Sequence, residues 1–326
     1  MNNQPILDAI DPEIVDRLAA RKEEIDNGSP VRPGVAAALA LASVPVALAV
    51  LSREVYGQGT LPAGIKGVLD FALALEIFED EFYKAVLGTS ASAAQRNAFV
   101  TVRGLATAVP GAVNTLQQIQ KHEAAHRATL IATGATNVFG LDENSFDFTG
   151  GRGSGNGPFA KATTDLAFLL QVAQGAEDTG VRAYKGQAAN LMSQPAILEA
   201  ALRIHSVEAR HAARIRRMRR AAAGASDVVR WSGTVRGGGA PAAGATDLGP
   251  QPTMVRAAFE AIYGSGASAT NAPNEINVTQ AGVNVATLSG TGFGPEAAQE
   301  AFDEPLDRAD VVAIVNPFLI ASKTLA

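Results

Sequence analysis

The sequence predicts an all-α protein built on a four-helix bundle, with two antiparallel helical hairpins joined by one long crossover. Three observations carry this prediction. Apolar residues recur with a period near 3.6 in four long segments, the two halves of that region align as copies of one hairpin, and the long glycine-rich connection falls between the halves. Composition agrees. Of 326 residues, 47% are hydrophobic, 18% charged and 6% aromatic, and alanine is abundant, which suits close-packed helices and excludes disorder of the whole chain.

Residues 12–26, opened by Asp11 as N-cap and Pro12 at the first helical position, read as a short charged helix. The uncharged run 34–51 (GVAAALALASVPVALAVL) has three readings: an export signal cleaved near Val55–Gly57, a buried packing helix, or a membrane span. Export to the periplasm is favoured slightly over a cytoplasmic location, and membrane contact through 34–51 stays open. The chain then divides into an N-terminal part (1–58), the bundle (60–223) and a linker with a partly helical extension (224–326).

The first bundle segment, 62–87, places Val68, Phe71, Ala72, Leu75, Phe82 and Val86 on one face. The second is 111–133, preceded by a helical stretch from Ala93 that Pro110 should break. The third is 160–191 and the fourth 195–223. Short links are expected within each hairpin, and 134–158, with the flexible run GGRGSGNGP, supplies the crossover. Beyond 223, residues 237–252 read as a Gly/Ala/Pro-rich linker, 253–263 as a helix, the stretch after it as polar loop, and 295–302 and 306–321 as helices.

The chain has no cysteine, so disulfides, thiolate ligands, cysteine nucleophiles and iron–sulfur clusters are excluded together. A net charge of −5 provides no basic field for nucleic acid. GGRGSGNG lacks the Lys-Ser/Thr of a phosphate loop. Arg214, Arg216, Arg217, Arg219 and Arg220 read as a solvated helix end.

All four histidines lie in or beside two copies of one motif, Glu123-x-x-His126 and Glu208-x-x-His211. A spacing of three puts Glu and His on one helix face. In each copy that face is otherwise apolar: Leu116, Ile119 and Leu130 flank the first, and Ile197, Ala201, Ile204 and Ile215 the second. A carboxylate in a core stripe costs several kcal/mol unless paired or bound to a cation. Glu177 sits likewise among Leu166, Leu170, Ala173, Gly180, Tyr184 and Leu191. Aligning the first segment with the third pairs Leu69 with Leu170, Ala72 with Ala173, Glu76 with Glu177 and Tyr83 with Tyr184, while Glu79 falls on Gly180. HEAAHRATL overlays VEARHAARI. Two such hairpins face to face put four carboxylates and two imidazoles around the bundle axis, a donor set that favours iron or manganese. Glu79 reads as a neighbour of the ligands or a solvent-side residue, with ligation in place of Glu76, or beside it, as the alternative. His122 is expected at the surface and His205 half-exposed or behind a ligand. Tyr83 and Tyr184 fill the core and hydrogen-bond a glutamate. With every histidine claimed, no Ser-His-Asp set remains.

This pattern resembles the ferritin-like superfamily and, more closely, bacterial ferritin-like-domain proteins related to desiccation-associated proteins. The closer likeness rests on FALALEIFEDEFY (71–83), the motif at 123–126, FDFTG (146–150), AEDTGVRAY (176–184), HSVEARHAARIR (205–216) and AFDEPLDRADVVAIVNPFLI (301–320). It covers most of 60–223 and, more loosely, the tail. The resemblance implies ligands at Glu76, Glu123, His126, Glu177, Glu208 and His211 for two Fe or Mn ions, with Glu123 and Glu208 bridging. Such a pair can activate dioxygen or peroxide by cycling between oxidation states, which the motif itself does not specify. The alternative is a structural or desiccation-protective bundle whose metal only clamps the helices or is absent. A storage cage fits the extensions poorly, and self-association stays open.

Overall fold

The computed structural model describes residues 61–223, 253–263, 279–280, 282–284, 287 and 302–326. The predicted helix 12–26, the apolar run 34–51, the linker 237–252 and all but the last residue of the predicted helix 295–302 lie outside the described residues. Among the described residues, no helix is long and apolar enough to cross a membrane.

Four long helices make the core: α1 (Ala63–Leu87), α4 (Ala112–Thr133), α5 (Leu166–Gln187) and α6 (Pro195–Ala223). Helices α1 and α4 stop where Gly88 and Gly134 turn left-handed (φ 79° and 114°), which a residue without Cβ adopts freely. Asp165 caps α5 by accepting from the Phe168 backbone N–H at 3.0 Å. Contacts along the pairs fix their directions. Lys66 meets Thr136 (2.7 Å), Glu76 meets His126 (3.1 Å) and Gln120 meets Asp80 (2.8 Å), so α1 and α4 are antiparallel. Arg219 meets Gln174 (2.5 Å), His211 meets Glu177 (3.1 Å) and His205 meets Val181 (2.9 Å), so α5 and α6 are antiparallel as well. The all-α bundle of two hairpins with a long crossover is the fold that the sequence predicts.

Several expectations need correction. The link inside the first hairpin is not short. It carries α2 (Ala93–Ala98) and α3 (Val100–Thr107), with Pro110 in the turn before α4. The reason is apolar: Phe99 and Val102 are buried, and Phe99 packs edge-on to Phe82 at 6.2 Å. Nor does α1 have one buried face, since Leu73 to Tyr83 are buried on every side. The outer side of α1 is covered by the crossover and the tail, whose rings surround Phe78: Phe318 at 5.3 Å, Phe148 at 5.8 Å and Phe146 at 5.9 Å. Each such ring contributes about 1.5–3 kcal/mol through burial alone.

The glycine run in the crossover is tied to Asp147 by hydrogen bonds. Asp147 accepts from the backbone N–H groups of Gly153 (2.8 Å) and Gly155 (2.9 Å) through one oxygen, and from the Thr149 N–H (3.0 Å) and hydroxyl (2.6 Å) through the other. The crossover is then stitched to the tail by Asp147 N–H to Phe318 O (2.6 Å) and Ile320 N–H to Ser145 O (3.0 Å).

The extension contributes α7 (Thr253–Tyr263), α8 (Arg308–Val315) and a two-stranded antiparallel hairpin, β1 (Thr279–Gln280) with β2 (Val283–Asn284), inside the stretch expected as loop. Helix α8 is shorter than the predicted 306–321. Asp307 caps its start by accepting from the Asp310 N–H (2.8 Å), and Pro317 and the bridge from Leu319 to Phe146 end it. Arg182 anchors the extension: fully buried, it donates to the carbonyls of Glu304 (Nε, 2.8 Å) and Ile262 (Nη1). The arginine cluster of α6 is only partly a solvated helix end. Arg219 is buried, donating to Gln174 Oε1, and Arg216 lies 3.6 Å from Asp178.

Candidate metal centre

Each half of the bundle brings its glutamates and histidine to the same level of the axis. Glu76, Glu123, Glu177 and Glu208 are each 0% exposed, and His126 and His211 are buried beside them. The 3.6-residue period puts Glu123 and His126, like Glu208 and His211, one turn apart on the inward face.

Two groups of four form. In one, His126 Nδ1 stands 3.1 Å from Glu76 Oε2, 3.0 Å from Glu123 Oε2 and 2.9 Å from Glu208 Oε1. In the other, His211 Nδ1 stands 2.8 Å from Glu123 Oε1, 3.1 Å from Glu177 Oε2 and 3.5 Å from Glu208 Oε2. Glu123 and Glu208 belong to both groups and present one oxygen to each. All six residues singled out from the sequence therefore meet here.

The imidazole protons hydrogen-bond part of this convergence but cannot satisfy all of it. One imidazole N–H has one proton to donate, yet each Nδ1 faces three carboxylates. Glu123 Oε1 and both oxygens of Glu208 are buried and take part in no hydrogen bond, close as they are to an imidazole nitrogen. In each group the four potential ligand atoms lie within 4.8 Å of one another. Buried carboxylate oxygens left this way are costly unless a cation satisfies them. The oxygen-rich donor set with one imidazole per group suits iron or manganese.

Charge leads to the same point. Glu79, also buried, adds a fifth carboxylate, and two protonated imidazoles cannot balance five. Without a cation, burial works against ionisation of these carboxylates. Burial, opposed by His126, pushes the Glu76 carboxyl up to about 8, and burial with the charge of Glu208 pushes Glu79 well up. Burial alone would lower His211, but Glu177, Glu123 and Glu208 push it up to about 12. Glu208 moves the other way: burial is outweighed by His126 and His211, which hold it below its ordinary value.

Glu79 is neither on the solvent side nor in either group of four. Its space comes from a mismatch in the repeat: a Cβ on Gly180 would lie 3.3 Å from Glu79 Oε1 and 3.6 Å from Glu208 Cγ. The tyrosines do hydrogen-bond glutamates, but each reaches the other hairpin's. Tyr83 donates to Glu177 Oε1, and Tyr184 to Glu76 Oε1 at 2.5 Å. His205 donates through Nδ1 to Val181 O at 2.9 Å and does not back a ligand. His122 is exposed as expected, but its Nδ1 lies 2.8 Å from His211 Nε2 with the rings stacked at 5.1 Å. Helical spacing within α4 carries no signal for that contact, because His211 comes from α6.

The family model of the ferritin-like domain matches residues 66–221. Over those residues the all-α bundle is similar to a ferritin-like domain. Among curated proteins and among solved structures nothing matches the chain. The matched residues span all four core helices, and a buried Glu/His cluster compatible with metal lies among them.

Proposed function

We propose that the ferritin-like domain holds a dinuclear Fe or Mn centre through Glu76, Glu123, His126, Glu177, Glu208 and His211, with Glu123 and Glu208 shared, and reacts with dioxygen or peroxide. The observation that carries this reading is the pair of Nδ1 atoms, each facing three carboxylates whose shared members leave buried oxygens without hydrogen bonds. A bound pair of such ions supplies a Lewis-acidic centre able to change oxidation state.

The chain's own residues do the rest. Ligation through Nδ1 leaves the Nε2 proton of His211 to be donated to His122 Nδ1, which fixes the ring and its tautomer. Tyr83 and Tyr184 each hold one oxygen of Glu177 and Glu76, leaving the other for a cation. Apolar layers above and below, such as Ile119, Leu116, Ile204 and Ile215, exclude water and strengthen every charge interaction inside.

The likeness to desiccation-associated proteins supports the rival reading, a bundle that metal only clamps. Elemental analysis of protein purified without added metal or chelator tests the centre itself. About two Fe or Mn per chain are expected from the two groups of four. No bound transition metal, even after anaerobic ferrous loading, overturns the proposal. An oxygen-dependent near-ultraviolet band after ferrous addition marks a redox centre, whereas a melting shift with metal and no such band marks the clamp.

A further inference from the structure

The interior of the bundle is not filled equally around the centre. Toward the start of α1 and α6 and the end of α4 and α5, the four helices line a partly open apolar cavity of about 30 Å³. That is room for roughly two water-sized molecules. Its wall includes Leu75, Thr129, Leu130, Tyr184, Ala201 and Ile204, all buried.

Helical spacing sets this cavity against one half of the centre. Leu75 immediately precedes Glu76, Thr129 follows His126 by one turn, Ile204 precedes Glu208 by one turn, and Tyr184 is bonded to Glu76. No lining residue comes from the turns flanking Glu177 or His211. The void therefore adjoins the Glu76–His126 group and not its partner.

Among the described residues the wall offers water few partners, because its hydroxyl protons are already donated. Thr129 donates its hydroxyl to Ala125 O (2.8 Å) and Thr133 to Thr129 O (2.8 Å). The Tyr184 hydroxyl is engaged by Glu76, and Gln187 Oε1 accepts from Asn190 at 2.9 Å. A buried water needs two to four hydrogen bonds, so a pocket walled mainly by apolar side chains holds water poorly and suits apolar guests such as xenon.

We propose that this cavity docks a small apolar molecule of dioxygen size against the Glu76–His126 half of the centre. The inference deepens the function proposed above and rests on it for the guest's role as reactant. It also separates the two oxidants: peroxide would exchange its hydrogen bonds to water for few in this wall and is disfavoured, whereas dioxygen gives up no hydrogen bonds on entry.

Xenon is the probe. Crystals of the full chain pressurised with xenon are expected to show an anomalous peak between Leu75, Ala201 and Ile204, and Ala201→Leu is expected to remove it. Ferrous-loaded Ala201→Leu protein should carry as much iron as the parent but develop its oxygen-driven band several-fold more slowly, with the peroxide-driven band unchanged. If Ala201→Leu does not fold, Ala200→Val narrows the same space. An empty cavity under xenon overturns the inference, and so does an oxygen-driven rate that the filled variants leave unchanged. A xenon peak in protein whose ferrous form ignores oxygen keeps the gas site and overturns the redox function instead.

Discussion

Tyr83 donates its hydroxyl proton to Glu177, a residue of the opposite hairpin, while Tyr184 makes the mirror bond to Glu76. Each tyrosine lies seven residues after one glutamate and orients the other, so the two hairpins fix each other's carboxylates. Tyr83→Phe keeps the ring and removes only the donor. Such partners of ligands are worth about 10–100-fold in metal affinity. Competition titration against a metallochromic chelator should show that loss in Tyr83→Phe and in Tyr184→Phe, with helical circular dichroism unchanged.

The shared carboxylates separate from the terminal ones by stoichiometry. Glu76 and Glu177 each serve one group of four, while Glu123 serves both. Metal content per chain should fall to near half in Glu76→Ala and Glu177→Ala and to near zero in Glu123→Ala. Equal loss in all three would contradict the sharing.

His122 stands outside both groups and touches only the far side of His211. His122→Phe preserves a ring of similar size but accepts no proton from Nε2. We expect weaker metal binding, by about tenfold or more, while His122→Gln, whose amide oxygen can still accept, recovers much of it. The readout is the same chelator titration.

Acid should weaken the crossover through Asp147. Burial raises this carboxyl, but the Thr149 hydroxyl and the N–H groups of Gly155, Thr149 and Gly153 outweigh it and hold the group below 3.8. A depressed folded-state pKa contributes stability that is present above the unfolded value and lost as pH falls through the folded one. Asp147→Asn places an amide against two backbone donors and should cost about 1–3 kcal/mol near neutrality. In denaturant melts, the gap between parent and variant should narrow as pH drops below about 4.

Docking of the tail depends on the backbone of α5 coming close. A Cβ at Gly186 would stand 1.8 Å from Leu306 O, and Leu306 N–H bonds Arg182 O at 3.1 Å. Gly186→Ala must therefore push residues 302–326 away. Limited proteolysis is expected to clip the C-terminal segment of this variant early, with metal content retained because the centre lies within 66–221. Loss of metal in Gly186→Ala would show instead that the tail supports the centre.

The bundle and the six central residues were legible in the sequence for one reason. A helix repeats every 3.6 residues, so a glutamate or histidine in an apolar stripe betrays its burial locally, and the internal repeat pairs Glu76 with Glu177 without any alignment of relatives. The same logic failed wherever the partner lies on another element. His122 sits one residue away from Glu123, outside the stripe, and only the packing of α6 against α4 brings His211 to it. Arg219 looked like solvated charge until α5 supplied Gln174, and α1 looked one-sided until the crossover and tail placed Phe146, Phe148 and Phe318 on its outer surface. Periodicity reports which face of a helix is buried. It carries nothing about which oxygen of Glu208 faces which imidazole, or about the void beside Ala201, because distances between helices arise only when all four pack together.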